Sequence, residues 1–61
     1  MQAKNHRKVY MGDKVLVISG EFAGATGLVC GIDRQARVFS FFATTIGRVI
    51  RANEADLQIL N

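Results

Sequence analysis

Gly12-Asp13-Lys14-Val15-Leu16-Val17-Ile18-Ser19-Gly20-Glu21-Phe22-Ala23-Gly24-Ala25-Thr26-Gly27, running directly into Leu28-Val29-Cys30-Gly31-Ile32, is the stretch that decides the fold. Val15 and Val17 repeat with the two-residue period that places side chains on one face of a pleated strand. Gly20, Gly24 and Gly27 remove the Cβ where a turn needs positive φ or where two backbones approach closely. The order is that of a strand, a tight glycine-hinged loop and a returning strand. We place the first strand at 14–19, the loop at 20–26 and the second strand at 27–33.

Outward from that unit the pattern continues. Asp33-Arg34-Gln35-Ala36 is a short polar interval between two apolar runs, which marks a hairpin turn rather than a helix. A third strand follows at 37–43. Val38, Phe39, Phe41 and Phe42 are nearly contiguous there, so periodicity does not say which pair faces inward; we favour Phe39 and Phe41. Thr44-Thr45-Ile46-Gly47 makes a weaker turn, and Arg48-Val49-Ile50-Arg51-Ala52 has the β-branched content of a fourth strand. Asn53-Glu54-Ala55-Asp56 opens on a capping residue with an acid three positions on, as a single helical turn requires. Leu57-Gln58-Ile59-Leu60 closes the pattern as a short strand. Five short strands without helical periodicity predict an all-β chain folded as a small, strongly bent antiparallel barrel.

The 61 residues leave room for one domain and one small core. We read 1–9 as a basic arm or linker, flexible or packed on an edge, and 10–61 as the domain. No run of eighteen apolar residues is present and the first residues lack a secretory h-region, so neither a membrane span nor export is expected. A single cysteine cannot close an internal disulfide, and Cys30 with His6 cannot complete a zinc site. Stability is expected to come from packing, without a cofactor or metal.

Catalysis is not expected either. Cys30 lies in an apolar strand, where a thiol behaves as a small buried hydrophobe. His6 stands beside Arg7 with no partner to make it a base. The three glycines do not form a phosphate loop of the Walker type, which ends in Gly-Lys-Ser or Gly-Lys-Thr and opens a helix, whereas Gly27 opens a strand.

Eight Lys and Arg against five Asp and Glu give a net charge of +3. Such a bias suits a polyanion or merely keeps a small barrel soluble. Lys4, Arg7, Lys8 and Lys14 lie at the start and on the first strand; Arg34, Arg37, Arg48 and Arg51 lie in the second half. This grouping favours nucleic acid modestly.

The set Gly12, Asp13, Val15, Val17, Gly20, Gly24, Gly27, Val29 and Ile32 resembles the KOW motif of NusG-type transcription elongation factors and of certain large-subunit ribosomal proteins. Phe22 before Gly24, and Asp56-Leu57-Gln58-Ile59 after a fourth strand, resemble the KOW domains of the large subunit of DSIF, the eukaryotic relative of NusG. The resemblance implies a five-stranded SH3-like (Tudor-like) barrel that docks on RNA, DNA or RNA polymerase. It also implies a monomeric module of a larger protein or assembly within the cell, nuclear if eukaryotic and otherwise cytoplasmic. One position departs: KOW motifs often carry Lys or Arg before the middle glycine, and Ala23 stands there.

The candidate contact residues are Lys14, Phe22, Arg34, Arg37, Arg48 and Arg51. Phe22 either stacks on a base or a protein surface, or plugs one barrel end; Tyr10 has the same two readings. Arg34 and Arg37 flank the second turn. Arg48 and Arg51 have opposite parity and should not share a sheet face. For each arginine the alternative is a solvated side chain balanced by Asp13, Asp33, Glu54 or Asp56. If about four phosphates were neutralised, single-strand affinity would fall with salt with a slope near roughly −3. The rival functions are a ribosomal protein on rRNA, against which the modest charge and the absence of long lysine-rich tails argue, and a barrel that binds only protein.

Overall fold

Each apolar run becomes a strand because its inward residues alternate, and the glycines and polar intervals become the turns between them. The structure, a computed structural model, describes residues 8–60. The expectations for Lys4, His6 and Arg7 lie outside the described residues. Strand β1 is Lys14–Val17, β2 Thr26–Asp33, β3 Val38–Ala43, β4 Arg48–Asn53 and β5 Leu57–Ile59, with a single 3-10 turn at Glu54–Asp56 before β5. They form one antiparallel sheet in the order β4-β3-β2-β1-β5, bent into the expected SH3-like barrel.

The register assembles the core from the alternation. Val29, Phe41 and Ile50 are cross-strand partners, as are Ile32, Phe39 and Ala52, while Val15 pairs with Gly27 and Ile59 on its two sides. Phe41, Leu57, Val9, Val15 and Ala43 are fully buried, and Val17, Ala25, Val29, Phe39 and Ile50 nearly so. Phe39 and Phe41 therefore face inward, as the sequence favoured, and Phe42 faces out. Val9, the last residue of the arm, belongs to this core, so the arm packs into the barrel at least from there.

Strand ends differ from the sequence expectation by a residue or two. β1 stops at Val17 because Ile18 turns into the loop, where its N–H still donates to the Asp56 carbonyl at 2.8 Å. β3 starts after Arg37, which takes a left-handed conformation (φ 59°) that no strand contains. The helical turn is capped as expected: the Asn53 side-chain oxygen accepts from the Ala55 N–H at 3.1 Å.

One expectation is corrected. Cys30 is exposed, not buried. The β2–β3 register passes from Val29↔Phe41 to Gly31↔Ser40, leaving Cys30 as the extra residue of a bulge beside the inward Val29. Alternation, which the surrounding apolar residues disguised, turns its thiol away from the core. Asp13, a residue of the motif, is buried, at 8% exposure. Its carboxylate accepts the Tyr10 N–H at 2.8 Å, while its own N–H donates to the Tyr10 carbonyl at 3.1 Å. The turn leading into β1 closes on this reciprocal pair. Asp13→Ala strips a part-buried N–H of its acceptor and is expected to cost about 1–3 kcal/mol, read as a lower urea midpoint at unchanged m-value.

Candidate nucleic-acid interface

The β2–β3 turn carries two of the candidate cations, and its geometry is held from three sides. Asp33 Oδ1 accepts the Ala36 N–H at 3.1 Å, an Asx-type contact that opens the turn. Arg37 closes it in the left-handed region, a conformation that costs a non-glycine residue about 1 kcal/mol. The Arg37 carbonyl then accepts the Glu54 N–H at 2.9 Å, tying the turn to the 3-10 segment.

Arg34 is anchored as well. Its guanidinium donates through Nη2 to the Val9 carbonyl at 2.9 Å and lies over the Tyr10 ring, 5.3 Å from the centroid. A guanidinium has five N–H donors, so this anchoring leaves capacity for an anion. A planar cation on an aromatic face is also the arrangement on which a base or a phosphate is held. Lys8, Arg34, Arg37, Phe39 and Glu54 line one recess of about 300 Å³ beside this turn. Glu54 is the carboxylate in the group. Of the other acids considered as counter-ions, Asp33 serves its turn and Asp56 accepts from the Ser19 hydroxyl at 2.6 Å.

Phe22 and Arg48 meet at the other end of β2 and β3. The Phe22 ring is half-buried and packs on the core, which makes it mainly a plug, and the Arg48 guanidinium lies 5.7 Å from its centroid. Arg48 reaches it because it sits at the start of β4 opposite the buried Ala43, on the inward row, whereas Arg51 pairs with the outward Ser40. The two arginines thus occupy opposite faces, as their parity required. Phe22, Glu21, Ala23, Gly24, Thr45 and Ile46 border a shallow recess there, in which Glu21 is the charged group.

Lys14 belongs to a third place, the outer face of the sheet, where it is the cross-strand partner of Leu28. The six candidates therefore separate into Arg34 with Arg37, Phe22 with Arg48, and the outer face, where Lys14 on β1 and Arg51 on β4 stand apart with β2 and β3 between them. The structure adds Lys8 and Tyr10 to the first pair. Tyr10 is the ring whose two readings the sequence left open; Lys8 had only its charge to mark it.

Among the described residues, no three His, Cys, Asp or Glu side chains are grouped as a metal site would need. No family model and no curated protein sequence matches the chain at a significant level. Its fold matches, over 100% of its length, a chain in the crystal structure of the MjSpt4:Spt5 complex in conformation B, with a TM-score of 0.80 at 19% sequence identity. The match spans 43% of that chain. The likeness is one of fold: the bent five-stranded sheet found here is also the architecture of part of that complex.

Proposed function

We propose that the chain is a non-catalytic KOW-type module of an intracellular transcription elongation assembly, docking on nucleic acid beside RNA polymerase. The observation that carries the nucleic-acid reading is the convergence of Lys8, Arg34 and Arg37 on one recess, with Arg34 fixed over Tyr10. Fixed donors and a preformed turn lose little freedom when an anion arrives. The fold shared with part of an Spt4:Spt5 complex supports placement in an elongation assembly. Phosphate contacts position without reading sequence, so weak sequence preference follows.

An NMR titration with short single-stranded RNA and with duplex DNA at two salt concentrations tests this. Amide shifts are expected at Tyr10, Arg34 and Arg37. Three cations neutralising three phosphates give a single-strand salt slope of about −2. Arg37→Gly separates binding from folding: glycine accepts φ 59° without strain, so stability is expected to be unchanged or higher while affinity falls. Absence of shifts with millimolar nucleic acid at low salt would rule the reading out.

A second reading, docking on protein through the Phe22 end, draws on the half-buried ring covered by Arg48 and on Ile46 beside it. Apolar docking largely survives moderate salt whereas phosphate contacts do not. Shifts confined to Phe22, Ile46 and Arg48 that persist in salt would favour it.

A further inference from the structure

The outer face of the sheet holds an apolar row that the fold does not need. Leu28 pairs with Phe42, and Phe42 with Val49, in adjacent strands. All three point outward, with 57%, 46% and 51% of their surface exposed. Single exposed hydrophobic residues are ordinary; three in one cross-strand row, with strands about 4.8 Å apart, form a continuous patch. A cleft of about 410 Å³ opens on it, lined by Lys14, Thr26, Gly27, Leu28, Phe42 and Thr44.

Charge selects the occupant. Lys14 ends the row, as the partner of Leu28 on β1. Arg51 lies in the next row, paired with Ser40, which in turn faces Gly31. Among the described residues neither of these two rows contains a carboxylate, and Asp33, in the row beyond opposite Val38, is engaged by the Ala36 N–H. We propose that this face docks an extended segment of a partner protein, with one apolar side chain in the cleft between Leu28 and Phe42 and acidic residues facing Lys14 and Arg51. Single-stranded nucleic acid fits less well, because it is held by successive bases stacked on several aromatic faces. Here one ring stands between two aliphatic side chains. A second copy of the chain would bring the same cations to the contact and a net charge of +3 to each side.

This surface is separate from the Arg34–Arg37 recess, so the two readings fail independently. The test is a peptide-display selection on the 61-residue chain, with counter-selection on Phe42→Ser. The selected peptides are expected to carry Asp or Glu around Leu, Ile or Phe. They should shift the amides of Leu28, Phe42, Thr44 and Val49, and bind Phe42→Ser at least about 10-fold more weakly, the loss expected when an anchor in a pocket is truncated. Leu28→Thr provides a second variant should Phe42→Ser melt early, and Arg37→Gly is expected to bind these peptides like the unaltered chain. No enrichment, peptides without acids, or equal binding to both outer-face variants would overturn the proposal. So would shifts of these four residues by oligouridylate, which would assign the face to nucleic acid, or concentration-dependent shifts there without ligand, which would assign it to a second copy.

Discussion

Gly27→Ala is expected to destabilise the chain by about 3 kcal/mol or more. The position lies inside β2, opposite Val15 on one side and Ala43 on the other, with its missing side chain directed into the barrel. A Cβ there would fall on the Phe42 carbonyl oxygen and stand 2.8 Å from Phe41 Cδ2. The first neighbour is backbone of the adjacent strand and the second is the ring of a fully buried core residue, so neither can yield without opening the sheet. Overpacking of this kind commonly costs about 1–3 kcal/mol and more when backbone must move. A chain of this length has a total stability of about 3–9 kcal/mol, so a loss at the top of the overpacking range takes between a third and the whole of it. Far-ultraviolet circular dichroism with a urea titration measures the effect; a midpoint within error of the unaltered chain would show that β2 and β3 do not approach as described. Gly24→Val serves as contrast. Gly24 has φ +97° and open space around its missing Cβ, so valine there meets backbone strain of about 1–3 kcal/mol and no collision.

Phe41→Ala and Phe42→Ala, neighbours in sequence, are expected to behave oppositely. Phe41 is fully buried between Val29 and Ile50, and its truncation removes a ring from a core with few other large side chains. The loss is about 3–5 kcal/mol, comparable with the whole stability of the domain. Phe42 keeps nearly half its surface in water, and its removal is expected to cost at most about 1 kcal/mol, since it fills no cavity. Thermal melts of the two variants decide the matter: equal melting temperatures would contradict the assigned faces of β3. A well-folded Phe42 variant is also what allows the outer face to be tested for binding without disturbing the barrel.

The motif was legible because its physics is local. Val15 and Val17 announce a strand by period, and Gly20 and Gly24 announce a turn because only glycine adopts φ near +95° freely. The hairpin at 34–37 and the Asn53 cap are likewise short-range chemistry. Cys30 was misread because the unbroken apolar run Leu28-Val29-Cys30 hides which of its residues face in; with Val29 inward, alternation turns Cys30 out. Asp13 was legible as a motif residue, but its acceptance of the Tyr10 N–H was not, since that N–H becomes part-buried only once Val9 packs into the core. The candidate site was less legible than the fold. Lys14, Phe22, Arg34, Arg37, Arg48 and Arg51 were all identifiable as polar or aromatic residues near turns, yet they occupy three separate places.

By itself the sequence determined the succession of five strands along the chain, the turns, the inward pair Phe39 and Phe41, and an all-β barrel, since each rests on side-chain period and backbone preference within a few residues. Only the tertiary structure decided which cations stand together, because neighbours across a sheet are chosen by register. Register placed Arg48 over Phe22 and Arg51 beside Ser40. It also lined up Leu28, Phe42 and Val49 from three strands on the outer face. Gly27 joins the two levels: its place in the motif is read from the sequence, while the reason it must be glycine is the Phe42 carbonyl and the Phe41 ring that the fold brings against it.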